Sequence, residues 1–284
     1  MSRGRSAPPE LVVGGAAGPA TGEVGRSGAI LSAMRVATFN ILHGLTPGDD
    51  RVDPARLAAA VRALDADVLA LQEVDRDQPR SEHADLAVVA AEAMGADHRF
   101  AAALLGTPGG SWVPATDAQP ADGPAYGIAL LSRLPVTSWR VVRLPWLRIP
   151  APLWISGRRL PSVVHDEPRV ALVAEISTPA GPLRVAGTHL SFVPPWNARQ
   201  LRALLAAVAT PTRPLLLLGD LNMGAGRAGS VSGLRSLARL PTFPAHAPTR
   251  QLDHVLTDAP LHAVASEARA TGLSDHRALV VDLA

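Results

Sequence analysis

The sequence predicts a single α/β domain. Short apolar runs of the kind that form buried strands alternate along the chain with segments of helical periodicity, and no linker, internal repeat or low-complexity tract separates them. The 284 residues leave ample room for a hydrophobic core. A hydrophobic content of 47% with 18% charged residues is typical of a globular chain and not of a disordered one.

The composition excludes several chemistries. The chain contains no Cys, so disulfides, thiolate metal sites and Cys nucleophiles are excluded. All 27 basic residues are Arg and there is a single Tyr, so a formal charge of only +2 is enough to produce the pI of about 10.2. This nearly even balance favours no particular partner. No segment has the apolar length of a membrane span or the apolar core of a signal peptide, and we expect a cytoplasmic protein.

The N-terminal part of the chain differs from the rest. Residues 1–33 are rich in Gly, Ala and Pro and have weak periodicity, so we expect a disordered tail followed by a folded domain over residues 34–284. Met34 directly precedes the first convincing strand, which leads to the hypothesis that translation starts at Met34. The intact mass of the native protein would test it, and a mass that includes earlier residues would contradict it.

Local sequence signals indicate where the predicted helices and turns begin and end. Asp53 and Pro54 supply an N-cap and a first-turn proline for one helix, and Gly95 ends the next. Residues 178–181 form the predicted turn of a hairpin. The predicted strands cover residues 35–42, 67–71, 126–133, 169–176, 182–187, 214–218, 252–256 and 278–283. The predicted helices cover residues 54–64, 81–94, 194–209 and 231–240.

Residues 214–224 place polar side chains at the end of a core strand. Four consecutive Leu residues form a run typical of a strand that is buried on both faces, and Asp220 and Asn222 follow it. Residues two apart in an extended segment point to the same side, so the carboxylate and the carboxamide would project together. The alternative is an ordinary Asp/Asn turn, which is favoured when this stretch is considered by itself.

The same placement recurs elsewhere and reverses that preference. Eight polar residues lie at or near the end of an apolar strand-like run: Asn40, Glu73, His189, Asp220, Asn222, Asp253, Asp275 and His276. Carboxylates that meet at one end of a sheet offer hard oxygen ligands for Mg²⁺ or Mn²⁺. The two histidines offer acid–base chemistry, and the absence of a nucleophilic Ser motif makes water the expected nucleophile.

A Trp- and Arg-rich segment stands apart from these runs. Residues 139–161 carry three Trp, five Arg and several Pro, and we expect little regular structure there. Such a segment could clamp a nucleic acid or a lipid headgroup. The preferred alternative is a loop that packs its Trp side chains over a sheet edge.

The polar motifs, taken together and in this order, resemble those of the endonuclease/exonuclease/phosphatase superfamily over residues 35–284. The motifs are Thr38-Phe39-Asn40, Gln72-Glu73, Thr188-His189-Leu190, Gly219-Asp220-Leu221-Asn222, Leu252-Asp253-His254 and Ser274-Asp275-His276. The resemblance implies a four-layer α/β sandwich, in which two mixed β-sheets pack face to face with helices on the outside. It also implies hydrolysis of phosphate esters with Mg²⁺ or Mn²⁺ as cofactor.

The resemblance also implies roles for the residues around a metal and a phosphate. Glu73 matches the principal metal ligand of the superfamily, with Asn40 and Asp275 close to the metal. Asp220 matches the group that orients or deprotonates the attacking water. Asn222 matches the residue that steadies the phosphate.

Three further roles concern protons and phosphate charge. His276 and Asp253 resemble the superfamily's His–Asp pair, in which the carboxylate fixes the tautomer of the imidazole. His189 resembles a second histidine that protonates the leaving oxygen. Arg169 lies at the position of a strand-leading Arg and is a candidate phosphate clamp.

Three functional classes remain open at this point. The first is a metal-dependent phosphoesterase, mono- or diester, that acts on a small molecule or a lipid headgroup. The second is a Mg²⁺-dependent nuclease acting on DNA or RNA; the nearly balanced charge and the lack of a Lys-rich stripe weigh against a strong DNA binder. The third is a catalytically inactive binding module, which the intact acids and histidines disfavour. We expect residues 139–161 to determine the substrate specificity.

Overall fold

The computed structural model describes Met1 and residues 34–49, 51–117, 122–153, 162–210 and 213–284. The predicted tail, apart from Met1, and residues 154–161 of the Trp- and Arg-rich segment lie outside the described residues. Within the described ranges, no helix has both the length and the apolarity that a membrane crossing requires.

The described residues form two large sheets and four α-helices. The strands are β1 (Met34–Asn40), β2 (Leu45–Thr46), β3 (Arg51–Val52), β4 (Val68–Arg76), β5 (Asp97–Gly106), β6 (Trp112–Pro114), β7 (Ala125–Ser132), β8 (Val136–Leu144), β9 (Ala151–Leu153), β10 (Ser162–Val164), β11 (Arg169–Thr178), β12 (Gly181–His189), β13 (Leu215–Asp220), β14 (Arg235–Ser236), β15 (Asp253–Thr257), β16 (Ala263–Arg269) and β17 (Ala278–Leu283). The helices are α1 (Pro54–Leu64), α2 (Leu86–Met94), α3 (Trp196–Val208) and α4 (Ala225–Ser232).

Both large sheets are mixed. The seven-stranded sheet has the order β16-β17-β1-β4-β7-β5-β6, and the six-stranded sheet has the order β14-β15-β13-β12-β11-β8. The pairs β1–β4 and β12–β13 are parallel, and the other pairs within these two sheets are antiparallel. The predicted hairpin is confirmed, since β11 and β12 pair up to Thr178 and Gly181.

The sheets pack face to face and the helices cover their outer faces. One apolar cluster joins the inner faces, for example Leu130 of β7 with Leu218 of β13. Alternate residues of β13, such as Leu217, pack outward against α3. The helices α1 and α2 pack on the other sheet through a third cluster. Because both faces of β13 are covered, its run of Leu is buried throughout, and the predicted four-layer sandwich is confirmed.

Two predicted helices have different bounds in the structure. The prediction of a helix over residues 231–240 is wrong, because α4 ends at Ser232 and Gly233 adopts a left-handed conformation with φ of 70°. The Gly-rich sequence of α4 gives little helical signal, but its buried Ala228 packs in the outer cluster. The helix predicted over residues 81–94 begins only at Leu86, where the Asp85 side chain accepts hydrogen bonds from the N–H groups of Ala87 and Val88.

Several strands were missed by the sequence analysis. The expectation of little regular structure in residues 139–161 is wrong for part of the segment. The strand β8 begins before it at Val136 and runs to Leu144 on the edge of the six-stranded sheet, and β9 within it pairs with β10 just beyond it. In β8 Trp139 and Val141 pack toward the inter-sheet cluster, whereas Val142 and Leu144 pack on the outer cluster. This alternation was hidden by the interleaved Arg residues. The preferred alternative, a loop that packs its Trp side chains over a sheet edge, does not describe Trp139, which belongs to the edge strand itself.

Candidate active site

A pocket of about 280 Å³ opens where the two sheets present the ends of their central strands. It is lined by Asn40, Glu73, Tyr126, His165, Glu167, Arg169, His189, Phe192, Asp220, Asn222 and His276. In the six-stranded sheet, strand register places His189 beside Asp220 and Asp220 beside Asp253. Pairing of Asn40 with Gln72 brings Asn40 next to Glu73 in the other sheet. The register therefore gathers groups from five strands.

Glu73 reaches the pocket through an irregularity in β4. The prediction that Glu73 ends its strand is wrong, because β4 continues to Arg76. The register with β7 shifts between Gln72 and Val74, and Glu73 has a left-handed φ of 58°. Such a bulge re-aims one side chain without ending the strand.

Asn40 links the two sheets at the base of the pocket. It is 1% exposed, and its Nδ2 donates hydrogen bonds to Glu73 Oε1 at 3.0 Å and to Asp220 Oδ2 at 3.1 Å. Its Oδ1 accepts from the N–H of Leu42 at 3.1 Å. Asn40 therefore holds a carboxylate from each sheet with one amide group.

Asp220 and Asn222 meet by a turn and not by an extended strand. Asn222 lies beyond β13 with a left-handed φ of 50°, and its N–H donates to Asp220 Oδ1 at 2.9 Å. Its Nδ2 donates to the carbonyl of Leu190 at 3.0 Å and lies 3.3 Å from His189 Nε2. The expectation that spacing in an extended segment aligns the two side chains is wrong, yet both line the pocket. The Asx-type turn performs the alignment.

His276 and Asp253 form a buried pair. Asp253 Oδ2 lies 2.9 Å from His276 Nδ1, and the Phe243 ring packs on the imidazole with centroids 4.9 Å apart. Burial lowers the pKa of His276, but the charge and hydrogen bond of Asp253, with the charge of Asp220, outweigh burial and raise the pKa to about 9. His276 therefore holds a proton at neutral pH.

His189 has the opposite electrostatic character. It is 7% exposed, and its Nε2 lies 3.5 Å from Asp220 Oδ2. Burial, together with the positive charges of Arg169 and His276, lowers the pKa of His189 well below its ordinary value. His189 is therefore neutral at neutral pH, in contrast to His276.

Two carboxyl groups of the pocket, those of Asp220 and Glu73, have raised pKa values. Burial raises the pKa of Asp220 to about 7, and the charge of Asp253 adds to the effect. Burial also raises the pKa of Glu73, with a further contribution from the charge of Asp275. Asp275 does not line the pocket, but its effect on the pKa of both Glu73 and His276 shows that it lies close by.

A second grouping of possible metal ligands lies deeper. Asp220, Asp253 and His276 each offer one atom within 4.8 Å of the others. Asp253 Oδ1 is buried and has no hydrogen-bond partner among the described residues. This grouping shares no residue with the predicted ligands Asn40, Glu73 and Asp275.

Arg169 at the start of β11 closes the pocket on one side. The residue is 6% exposed, and its Nη2 lies 3.8 Å from Asp166 and 4.0 Å from Glu167. Its buried Nε has no hydrogen-bond partner in the described part of the chain. A buried guanidinium with an unused donor suits a phosphate clamp.

Four lining residues were not among the predicted site residues. Tyr126 of β7 is buried, and burial raises its pKa well above the ordinary value. His165 and Glu167 precede β11, and Phe192 follows β12 with 37% exposure. Their proximity in sequence to Arg169 and His189 was the available signal for these last three residues.

Comparisons with known proteins agree with this architecture. The profile of the Endonuclease/Exonuclease/phosphatase family matches residues 37–276. A search of curated protein sequences gave no significant match. Among solved structures, the chain resembles an endonuclease/exonuclease/phosphatase from Beutenbergia cavernae DSM 12333, with 26% identity and a TM-score of 0.64 over 88% of this chain and 71% of that one.

Two more distant structures show the same fold. A mannosyl-6-phosphatase from Bacteroides thetaiotaomicron VPI-5482 is 15% identical, with a TM-score of 0.60 over 88% of this chain and 99% of that one. The human nocturnin catalytic domain, with a bound sulfate anion, is 19% identical, with a TM-score of 0.57 over 89% of this chain and 94% of that one. The match of the family profile over most of the chain, together with this fold and pocket, shows that the chain belongs to the endonuclease/exonuclease/phosphatase family.

Proposed function

We propose that the chain is a divalent-metal-dependent phosphoesterase that uses an activated water as its nucleophile. Endonucleases, exonucleases and phosphatases, the enzymes in the family's name, all hydrolyse phosphate esters, which supports a phosphoesterase in general. The observation that carries the proposal is the meeting of the Asn40–Glu73 pair, Asp220 and His276 in one pocket, with Asp253 paired to His276 behind it. Phosphoester hydrolysis needs charge neutralisation, a positioned water and a proton donor, and these residues offer groups for each.

The donor set fits a hard divalent cation. Glu73 and Asp275 would hold it, and Asn40 would join them only with its amide flipped, because Nδ2 now faces Glu73 and Oδ1 accepts from the N–H of Leu42. Mg²⁺ or Mn²⁺ would neutralise negative charge on the phosphate oxygens when bound. The raised pKa of Glu73 reflects burial and the nearby charge of Asp275, both of which a cation would offset. The deeper grouping fits less well, because His276 holds a proton toward Asp253 and a cation there would have to displace it.

The proton-handling roles follow from the electrostatics. Asp220, with a pKa of about 7, is suited to accept a proton from the attacking water. His276 is charged at neutral pH and can donate a hydrogen bond or a proton to a phosphate ester. The expectation that His189 protonates the leaving oxygen requires the bound phosphate to raise the pKa of this neutral imidazole.

Hydrolysis of bis(p-nitrophenyl) phosphate and p-nitrophenyl phosphate tests the proposal. We expect turnover that requires Mg²⁺ or Mn²⁺ and stops with a chelator. The variants Glu73→Gln, Asp220→Asn and His276→Ala should each lose at least ~100-fold in kcat because each removes a group that acts in the reaction. Glu92→Gln, on the exposed face of α2, is the matched control and should behave as wild type.

The outcomes separate the roles and the substrate classes. Near wild-type turnover in a folded variant would remove that residue from its role. Binding of Mn²⁺, followed by water proton relaxation, should weaken in Glu73→Gln and would locate the metal independently of activity. Supercoiled plasmid, with Asp220→Asn run in parallel, tests the nuclease alternative: nicking that is absent from the variant would establish it.

A further inference from the structure

A second cleft adjoins the catalytic pocket and is larger. Its volume is about 510 Å³, and Arg169 lines both spaces. Its walls come from the end of β8 and the residues that follow it, the first turn of α3, and the residues after β6. A substrate whose phosphate lies in the catalytic pocket can therefore extend past Arg169 into this cleft.

Aromatic rings and arginines alternate along the cleft. The Arg148 guanidinium lies 5.8 Å from the centre of the Trp146 ring, and that of Arg199 lies 4.7 Å from Trp196. Trp146 is supported by an edge-on contact with Trp112 at 6.0 Å. Arg148 and Arg199 are exposed, and neither has an ion pair with a carboxylate in the described part of the chain. The guanidiniums are thus available to a ligand.

A buried group with an unused donor marks the junction of the two spaces. Arg169 is 94% buried, its nearest acids are 3.8 Å and 4.0 Å from Nη2, and its Nε is unpaired among the described residues. Burying a guanidinium with a free donor is unfavourable unless an anion completes it. On the cleft side of Arg169, three further arginines line the space: Arg143, Arg148 and Arg199.

The chemistry of the walls selects among ligands. A quaternary ammonium headgroup is disfavoured, because arginines would repel it and Asp117, the acid among the described lining residues, is 3.1 Å from Arg143. A planar ring can stack on indole or guanidinium groups, and an attached anion can bind the arginines.

We propose that the cleft formed by Trp146, Arg148, Trp196 and Arg199 binds a nucleotide unit of the substrate, a planar base joined to a phosphate. The inference rests on the proposed phosphoesterase function and names its substrate class. A further cavity of about 450 Å³ continues from the cleft past Arg143 and contains Arg76, Arg99 and Arg140. The nucleotide unit can thus belong to a free nucleotide or to a strand that runs on into this cavity, and the experiment distinguishes the two.

Equilibrium binding to the full-length protein tests the proposal without relying on turnover. Isothermal titration in the presence of a chelator would use thymidine 5′-monophosphate and a 12-residue oligothymidylate as probes. We expect the double variant Arg148→Ala/Arg199→Ala to bind the probes at least about tenfold more weakly than wild type. The reason is that a stack of one base on an aromatic ring or a guanidinium contributes about a factor of ten in affinity. Arg202→Ala is the matched control: it is exposed on the same helix three residues from Arg199 and does not line the cleft.

Each outcome decides a separate point. Weakening for both probes supports a site for a free nucleotide unit, and weakening for the oligonucleotide alone supports a site that follows a strand. Failure of wild type to bind either probe, or equal binding by the double variant, overturns the proposal. Hydrolysis of bis(p-nitrophenyl) phosphate tests the phosphoesterase function by itself: if it is absent while nucleotide binding persists, the function fails and the binding site stands.

Discussion

Two histidines of the pocket hold different charges although both are buried within one site. His276 has Asp253 as a partner at 2.9 Å, and its pKa is raised to about 9. His189 faces Arg169 and lies 3.5 Å from Asp220, and burial lowers its pKa. Pairs of titratable groups whose pKa values are pushed apart are typical of acid–base sites. The difference supports separate roles for the two imidazoles in the proposed reaction.

A third histidine outside the pocket makes stability depend on pH. His43 follows β1 in a left-handed conformation with φ of 47°, and burial together with the charge of Arg80 lowers its pKa from 6.5 to about 4. As pH falls from 6.5 toward 4, His43 therefore becomes protonated in the unfolded chain but stays neutral in the folded chain, which favours unfolding. After allowing for solvent screening, we expect His43 to reduce the free energy of unfolding by about 1 kcal/mol between pH 7 and pH 5.

Urea unfolding of wild type and His43→Asn at these two pH values measures this contribution. Asn tolerates a left-handed backbone, so the variant removes the titration without straining the turn. His189 also has a lowered pKa, so wild type and variant should both lose stability in acid, and only the difference between them belongs to His43. An equal loss in both proteins would contradict the assignment.

The sequence identified the types of the site residues better than their conformations. Asn40, Glu73, His189, Asp220, Asn222 and His276 line one pocket, because strand ends from both sheets meet there. The left-handed backbone at Glu73 and Asn222 could not be predicted, because a bulge depends on the register of a neighbouring strand and not on local sequence. For Phe192 the only signal was its proximity in sequence to His189, since its exposure follows from the path of a loop.

At the scale of elements, the contact between β12 and β13 sets the position of Asp220. A Cβ added at Gly219 would lie 2.1 Å from the Thr188 carbonyl oxygen, and the residue has a φ of 153°. Gly219→Ala should therefore push the strands apart, lower the free energy of unfolding by about 2 kcal/mol and reduce activity by displacing Asp220 from His189. Urea unfolding and kcat for bis(p-nitrophenyl) phosphate are the measurements.

Gly224→Ala is the control for that substitution. Gly224 lies two residues beyond Asn222 at the N-cap of α4, where an added Cβ would meet nothing within 4 Å. It should cost less stability than Gly219→Ala, since only the N-cap preference for Gly over Ala is lost, and should leave kcat near that of wild type. Equal effects of the two substitutions would show that the close approach of β12 and β13 does not position Asp220.

Elements with strong internal patterns were predicted, and elements formed by their neighbours were not. The Leu run of β13 and the turn at residues 178–181 carry their own signals. In contrast, β16 is largely exposed and has an Ala-rich sequence of low strand propensity, and it forms by pairing with β17. The helix α4 likewise depends on packing against the six-stranded sheet.

At the scale of the whole molecule, the candidate site depends on how the two sheets are held together. Asn40 and Glu73 come from the seven-stranded sheet, whereas His189, Asp220 and Asp253 come from the six-stranded sheet. Hydrogen bonds from Asn40 to a carboxylate on each side span the junction. The geometry of the pocket should therefore be sensitive to the inter-sheet core and much less sensitive to the helical layers.

Leu130 provides the test of this dependence. It is fully buried in the inter-sheet cluster. A Cβ added to Gly187, on the opposing sheet, would lie 3.6 Å from the Leu130 side chain, so the two sheets are in close contact here. Leu130→Ala should lower the free energy of unfolding by about 3 kcal/mol through the cavity it leaves. The same cavity lets the sheets shift, so kcat for bis(p-nitrophenyl) phosphate should also fall at temperatures where the variant remains folded.

The matched substitution is Leu64→Ala. Leu64 is equally buried, but it packs between α1 and the outer face of the seven-stranded sheet. We expect a similar loss of stability, because the same group is removed from an equally buried position, and little change in kcat of the folded protein. Loss of activity in Leu130→Ala alone would show that the inter-sheet core sets the site geometry. If both variants keep wild-type kcat, the Asn40 bridge is sufficient to hold the two halves of the site together.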